Sequence, residues 1–167
     1  MRFLLLLLFT CVYSTQIHAQ KCKYDFDKTD PMTDERVRRN VYEVKDYFRI
    51  SLYRKGSDMR VELNVRMLQL RDEIIQKGAP LDLRLADGSV ITVHAAQDAG
   101  PTAAAALGHV YTSWAVSYHI SAQDMRRISN TGIKVARATV SGEELVYELK
   151  EKLSKKTAQG AQCLLQD

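Results

Sequence analysis

Histidine is the side chain best suited to proton transfer and metal binding near neutral pH, and the sequence contains four. His18 lies within the first 19 residues, and the other three are His94, His109 and His119. His109 and His119 share one face of a predicted strand, where ten residues separate them by roughly 33 Å. One metal ion cannot bridge that distance. His94 could approach either histidine across neighbouring strands, but histidines on the solvent face of a sheet are common, and we predict no metal site and no bound cofactor.

Two serines accompany these histidines: Ser113 and Ser117 have the same parity as His109 and His119. A nucleophilic serine also needs a fixed carboxylate and an oxyanion hole, and the chain has no Gly-x-Ser-x-Gly elbow. It has no Walker loop, dinucleotide fingerprint or EF-hand spacing either. We therefore predict no catalytic residues. The alternative is a small secreted hydrolase or inhibitor-like protein that uses this strand, with residues 97–108 as a lid.

Tyrosines and arginines point outward from two neighbouring predicted strands. The candidate ligand surface consists of five residues: Tyr47, Arg49, Tyr53, Arg60 and Arg66. Four further polar residues share or extend this face: Ser51, Glu62, Asn64 and Arg84. An arginine fork beside tyrosine rings can hold a carboxylate, a phosphate or a sugar. The other interpretation is an ordinary solvated sheet face covered by amphipathic side chains, with Glu62 neutralising a neighbour.

Alternation of apolar and polar residues dominates the chain after residue 21, which is the pattern of β-strands. The clearest apolar sets are Phe48, Ile50 and Leu52; Val61, Leu63 and Val65; and Trp114, Val116 and Tyr118. We expect an α+β fold with a mainly antiparallel β-sheet of about seven or eight strands. A short helix and a C-terminal helix packed on the sheet complete a single domain over residues 20–167.

A hairpin around Asp87-Gly88 has a register that the sequence can predict. A two-residue turn would place Ile91 and Val93 on the face opposite the preceding leucines. A three-residue turn with Gly88 at positive φ places all five apolar residues on one face: Leu81, Leu83, Leu85, Ile91 and Val93. We therefore expect a type I turn with a G1 bulge, and a folding defect in Gly88→Val.

Three segments are candidates for helix or loop. Ser121 and Asp124 form a capping pattern for a short helix through about residue 129. Residues 141–144 are expected to open the final helix, because Leu145, Leu149 and Leu153 repeat every four residues. Residues 97–108 are small and polar, and they predict a mobile loop or one helical turn.

The first 19 residues have the layout of a secretory signal peptide. Arg2 precedes an apolar run over residues 3–13, which is shorter than the roughly 20 residues of a membrane-spanning helix. Cleavage after Ala19 is expected to release the protein to the periplasm or the exterior. The alternative is a lipoprotein anchored through Cys11. The net charge of +4 does not by itself imply nucleic acid as a partner.

Two cysteines remain after such cleavage, Cys22 near one end and Cys163 near the other. An even pair in an oxidising compartment favours a disulfide that brings the two ends of the chain together. Two reduced, buried thiols are the alternative. A zinc or redox centre is not expected, because no Cys-x-x-Cys is present.

Four features together resemble a family of small exported bacterial proteins that has no assigned function. They are Lys21-Cys22-Lys23-Tyr24, the hairpin leading to Asp87-Gly88, the strand from Gly132 to Arg137, and a closing helix before Cys163. The resemblance covers most of the chain after the leader. It implies export and one cysteine at each end, and it carries over no functional residue.

These observations predict an exported, non-enzymatic envelope protein that acts as a binding or interaction module. The expected partner is an anionic envelope polymer, a lipid headgroup or another envelope protein. It is expected to contact the candidate ligand surface, which is also called the Tyr/Arg face below. No nucleic acid and no transmembrane span after cleavage are expected.

Overall fold

The computed structural model describes residues 22–45, 47–106 and 108–166. The predicted leader, Cys11 and the predicted cleavage site lie outside these residues. Ten β-strands in two antiparallel sheets and two α-helices make up the described fold. The mainly antiparallel α+β architecture is therefore confirmed, with more strands than the seven or eight expected.

The larger sheet has six strands in the spatial order β1-β2-β3-β4-β8-β7. Their bounds are β1 (Phe26–Thr29), β2 (Arg36–Lys45), β3 (Phe48–Lys55), β4 (Asp58–Leu68), β7 (Thr102–Ala106) and β8 (His109–His119). The predicted alternation holds in β3, β4 and β8, because their apolar sets are buried on the face that meets the smaller sheet and helices. Period-two patterning thus leaves the intervening polar residues on the outer face of this sheet.

The smaller sheet has four strands in the order β10-β9-β5-β6. Their bounds are β5 (Pro80–Leu85), β6 (Val90–His94), β9 (Ile133–Val140) and β10 (Glu143–Glu148). The hairpin between β5 and β6 pairs Leu83 with Ile91, and its five apolar residues are all buried. Gly88 has φ +87°, as the three-residue turn requires.

The helices are α1 (Ala122–Thr131) and α2 (Glu151–Leu165). Ser121 caps α1 as predicted, because its hydroxyl accepts a hydrogen bond from the Asp124 backbone N–H at 3.0 Å. Met125 and Ile128 of α1 are fully buried. The second helix packs against α1 and against β2, β3 and β9.

Three sequence predictions were wrong in detail. Residues 143–148 form strand β10 instead of the start of the final helix, which begins at Glu151. The alanine tract within 97–108 forms β7 instead of a loop or helical turn. Arg84 lies on β5 in the smaller sheet, so it does not extend the Tyr/Arg face of the larger one.

A disulfide joins Cys22 and Cys163, whose Cα atoms are 5.5 Å apart. It brings the first described residues against the last turn of α2, where Tyr24 Oη donates to the Cys163 carbonyl at 2.9 Å. The predicted pairing is confirmed, and such a bond is typical of an oxidising, exported compartment. Neither helix of the described chain is long and apolar enough to cross a membrane.

Candidate ligand-binding surface

The five residues of the predicted ligand surface lie along the outer face of the larger sheet. Tyr53 pairs with Arg60 across β3 and β4, and Arg49 pairs with Asn64. Tyr47 precedes β3, and its carbonyl accepts from the Arg66 backbone N–H at 2.8 Å. The face is continuous, but its arginines differ in whether a carboxylate lies beside them.

A row of alternating rings and cations crosses one end of this face. Cross-strand pairing aligns Phe26, Arg39, Tyr53, Arg60 and His119 on five successive strands. The guanidinium of Arg39 lies 5.7 Å from the ring centre of Phe26, and that of Arg60 lies 5.8 Å from Tyr53. These are cation–π distances.

Acidic side chains neutralise both arginines of this row. Arg39 approaches Glu62 at 3.8 Å, and Arg60 pairs with Asp58 at 2.5 Å. In the middle of the face, Arg49 pairs with Glu43 at 2.5 Å. Two of the three predicted arginines, Arg49 and Arg60, are thus already occupied by carboxylates.

Asp58 also contacts His119, with Oδ1 and Nδ1 3.2 Å apart. Burial opposes ionisation of Asp58, but hydrogen bonds and charge from Arg60 and His119 outweigh it and lower the pKa of the carboxyl. A lowered pKa in the folded state stabilises the protein above the ordinary aspartate value. That contribution is lost as pH falls through the lowered pKa.

We therefore expect Asp58→Asn to lower the free energy of unfolding by up to about 1 kcal/mol at pH 7. The difference from the parent protein should shrink as pH falls through the lowered pKa of Asp58, because protonation then removes the charge that the ion pair needs. Urea midpoints measured from pH 7 downward report the change. Asp72→Asn is the control, since none of the ion pairs among the described residues includes Asp72. An Asp58 effect that persisted unchanged in acid would contradict the ion-pair interpretation.

The other end of the face opens into a cleft of about 710 Å³ between the two sheets, here called the Tyr–Arg cleft. Its polar and aromatic lining consists of Tyr47, Arg66, Arg71, Tyr111, Glu143 and Tyr147. Met67 and Leu145 add apolar surface. Such a mixture of aromatic walls and a few polar groups is typical of small-ligand sites.

Two tyrosines from different sheets form one side of the cleft. The rings of Tyr47 and Tyr147 meet edge to face at 6.4 Å, and Phe48 packs beneath Tyr147 at 4.0 Å. Burial, followed by the neighbouring Tyr47, raises the pKa of Tyr147, so its hydroxyl stays protonated and able to donate. Tyr47 is 45% exposed, and its ring is available for stacking.

Two arginines on the other side of the cleft differ in their partners. Arg71 is bound to Glu143 at 2.7 Å, and its backbone N–H donates to Thr112 Oγ1 at 2.9 Å. Arg66 is exposed and lies 5.8 Å from the ring centre of Tyr111. Within the described residues Arg66 has no carboxylate partner, and its guanidinium can therefore accept an external anion.

Sequence reasoning found Tyr47 and Arg66 but missed Arg71, Tyr111 and Tyr147 as parts of this site. Tyr147 was missed because its segment was assigned to the final helix. The segment also has the alternation typical of a strand, because Leu145, Tyr147 and Leu149 alternate with polar or exposed residues. The partnership of Tyr111 with Arg66 depends on β4 lying beside β8, which no local pattern specifies.

Neither Ser113 nor Ser117 forms a hydrogen bond with His109 or His119 in the described structure. Ser117 Oγ is buried with no hydrogen-bond partner among the described residues, and His119 contacts Asp58. Ser113 Oγ donates to the Thr102 carbonyl at 3.2 Å, and His109 lies at the far end of β8. In the described ranges, no cluster of three or more His, Cys, Asp or Glu side chains could hold a metal ion. The hydrolase or inhibitor-like alternative stays a prediction.

No protein-family model, curated protein or solved structure matches this chain. The resemblance to small exported bacterial proteins therefore also stays a prediction.

Proposed function

We propose that this protein is an exported binding module that holds an anionic ligand in the Tyr–Arg cleft. The observation that carries the proposal is Arg66, an exposed guanidinium against a tyrosine ring with no acidic partner in the described structure. A guanidinium in this position can form two parallel hydrogen bonds to a carboxylate or phosphate. The disulfide supports the exported location.

The chemistry of the cleft favours an acidic sugar. Tyr47 and Tyr111 present rings on which a sugar can stack, and Tyr147 supplies a protonated hydroxyl. Arg71 is already neutralised by Glu143, so the cleft offers few unpaired cations to a highly charged ligand. A polymer that carries one carboxylate on each ring satisfies both the rings and Arg66. The proposed partner is therefore an acidic envelope polysaccharide.

Arg66→Gln is expected to weaken retention on polygalacturonate by about tenfold, the effect of losing one charge-assisted hydrogen bond pair. Affinity electrophoresis in gels with and without the polymer measures the change. Arg49→Gln is the matched control, because Arg49 carries the same charge on the same face but is paired with Glu43. It should change retention less than twofold.

Neutral dextran serves as the second control and should retain neither variant nor the parent protein. Equal losses in the two arginine variants would indicate nonspecific attraction to the whole sheet face. Undiminished retention in Arg66→Gln would rule out the cleft as the binding site. Both side chains are exposed, so both variants should unfold at the parent temperature.

A further inference from the structure

The edge of the larger sheet is only partly covered by its first strand. The ladder between β1 and β2 ends at the pair Phe26 and Arg39, although β2 continues to Lys45. The chain before Phe26 leaves the sheet because Cys22 is bonded to Cys163 on α2. The disulfide thus holds the N-terminal segment against the helix and away from the second half of β2.

The backbone polarity of this exposed half follows from two hydrogen bonds. Asp25 N–H donates to the Arg39 carbonyl at 3.0 Å, and Val41 N–H donates to the Asp25 carboxylate at 2.6 Å. The Arg39 carbonyl and the Val41 N–H both point to the open edge, so alternation directs the Val41 carbonyl and the Glu43 N–H the same way. The register of β2 against β3 shifts between Glu43 and Lys45, so the regular pattern ends there. In the part of the chain that is described, the Val41 carbonyl and the Glu43 N–H have no backbone partner.

A groove of about 700 Å³ runs along this edge, with β2 and the segment of Asp25 on one side and α2 on the other. Gly160 lets the helix approach β2 closely, since a Cβ at this position would overlap the Tyr42 hydroxyl. The helix side of the groove carries Leu153, Lys156 and Gln159. A strand edge facing a helix across a groove is the arrangement by which domains bind an extended peptide as an added strand.

The charges that remain available in the groove are positive. Asp25 is engaged by Val41 N–H, and Glu43 is engaged by Arg49. Lys23 and Lys156 also line the groove, and neither forms an ion pair with any described residue. An occupant with acidic side chains would complement them.

We propose that this groove binds an extended acidic segment of a partner polypeptide, which pairs with β2 at Val41 and Glu43. Five residues of strand span about 16 Å, so a segment of four or five residues fills the edge. Backbone hydrogen bonds to Val41 and Glu43 hold the peptide, and its acidic side chains contact Lys23 and Lys156. The site shares no lining residue with the Tyr–Arg cleft, and neither proposal depends on the other.

The test uses the intact, oxidised protein and a blocked pentapeptide of alternating glutamate and valine. Titration followed by ¹H–¹⁵N spectra should move the Glu43 amide in a saturable manner and slow its hydrogen exchange at least tenfold. A peptide with the same sequence but N-methylated backbone should not bind. Binding of both peptides alike, or an unchanged Glu43 amide, overturns the proposal.

Two matched pairs of variants separate the backbone from the charge contribution. Glu43→Pro removes the outward N–H, which an edge strand tolerates, and should abolish binding, whereas Glu43→Ala retains the N–H and should bind. Lys156→Glu should weaken binding at least fivefold, whereas Lys152→Glu, on the same helix outside the groove, should weaken it less than twofold. Equal affinities within either pair contradict the model, and the exchange measurement decides alone if Glu43→Pro does not fold.

Discussion

Removal of the disulfide is expected to lower the free energy of unfolding by roughly 2–5 kcal/mol, with the chain-entropy limit for a long loop near 5 kcal/mol. Cys22 and Cys163 close a loop across 141 residues, so reduction returns nearly the whole described chain to an unconstrained unfolded state. Urea unfolding with and without a thiol reductant measures the loss. A decrease of that size is a large share of the stability of a domain this small.

The double variant Cys22→Ser, Cys163→Ser separates the bond from other effects of the reductant. Its urea midpoint should equal that of the reduced parent protein and should not respond to the reductant. Helix α2 should remain docked in both, because Arg38 Nη1 donates to the Gln166 carbonyl at 2.6 Å and Arg54 Nη1 to the Leu164 carbonyl at 2.7 Å. Identical midpoints for oxidised and reduced protein would contradict the expectation.

Gly132→Ala is expected to be similarly damaging, at roughly 2–5 kcal/mol, from overpacking and from backbone strain at φ 84° and ψ 163°, which essentially only glycine adopts. Gly132 ends α1 with φ +84°, and its N–H donates to the Ile128 carbonyl at 2.8 Å. An added Cβ would overlap the backbone carbonyl of Ser154 in α2. Because backbone atoms cannot turn aside as a flexible side chain does, the two helices would have to separate.

Gly88→Ala is the matched control for this variant. Gly88 has nearly the same φ, +87°, but no atom lies within 4 Å of an added Cβ. It should therefore cost only the left-handed strain of about 1–2 kcal/mol. The folding defect expected for Gly88→Val therefore comes from backbone strain at positive φ, because the added side chain meets no neighbouring atom at its Cβ. Comparable losses in Gly88→Ala and Gly132→Ala would show that strain alone explains both.

Several elements of this fold were predictable because their signals are local. The Asp87-Gly88 turn has its register specified by turn geometry together with the need to bury one apolar face. The Ser121 cap satisfies the N–H of a residue three positions along the chain. The pairing of Cys22 with Cys163 is not a local signal, but it was predictable from the number of cysteines and the predicted leader, without knowledge of the fold.

The two errors in secondary structure also have a physical origin. Leu145 and Leu149 are four residues apart, a spacing that satisfies both a helix and a strand with period two. Pairing of β10 with β9 decides between them, and it is a contact that the local pattern does not contain. The alanines of β7 carry no apolar alternation, so their strand state depends on pairing with β8.

The sequence by itself determined which residues of each strand share one face, because alternation along a strand is a property of the backbone. It also determined that Cys22 and Cys163 lie near the two ends of the described chain. Only the tertiary structure decided that Glu43 and Asp58 occupy Arg49 and Arg60 while Arg66 is left beside Tyr111. Cross-strand register and the packing of two sheets bring those partners together, and both arise from long-range contacts that no short stretch of sequence encodes.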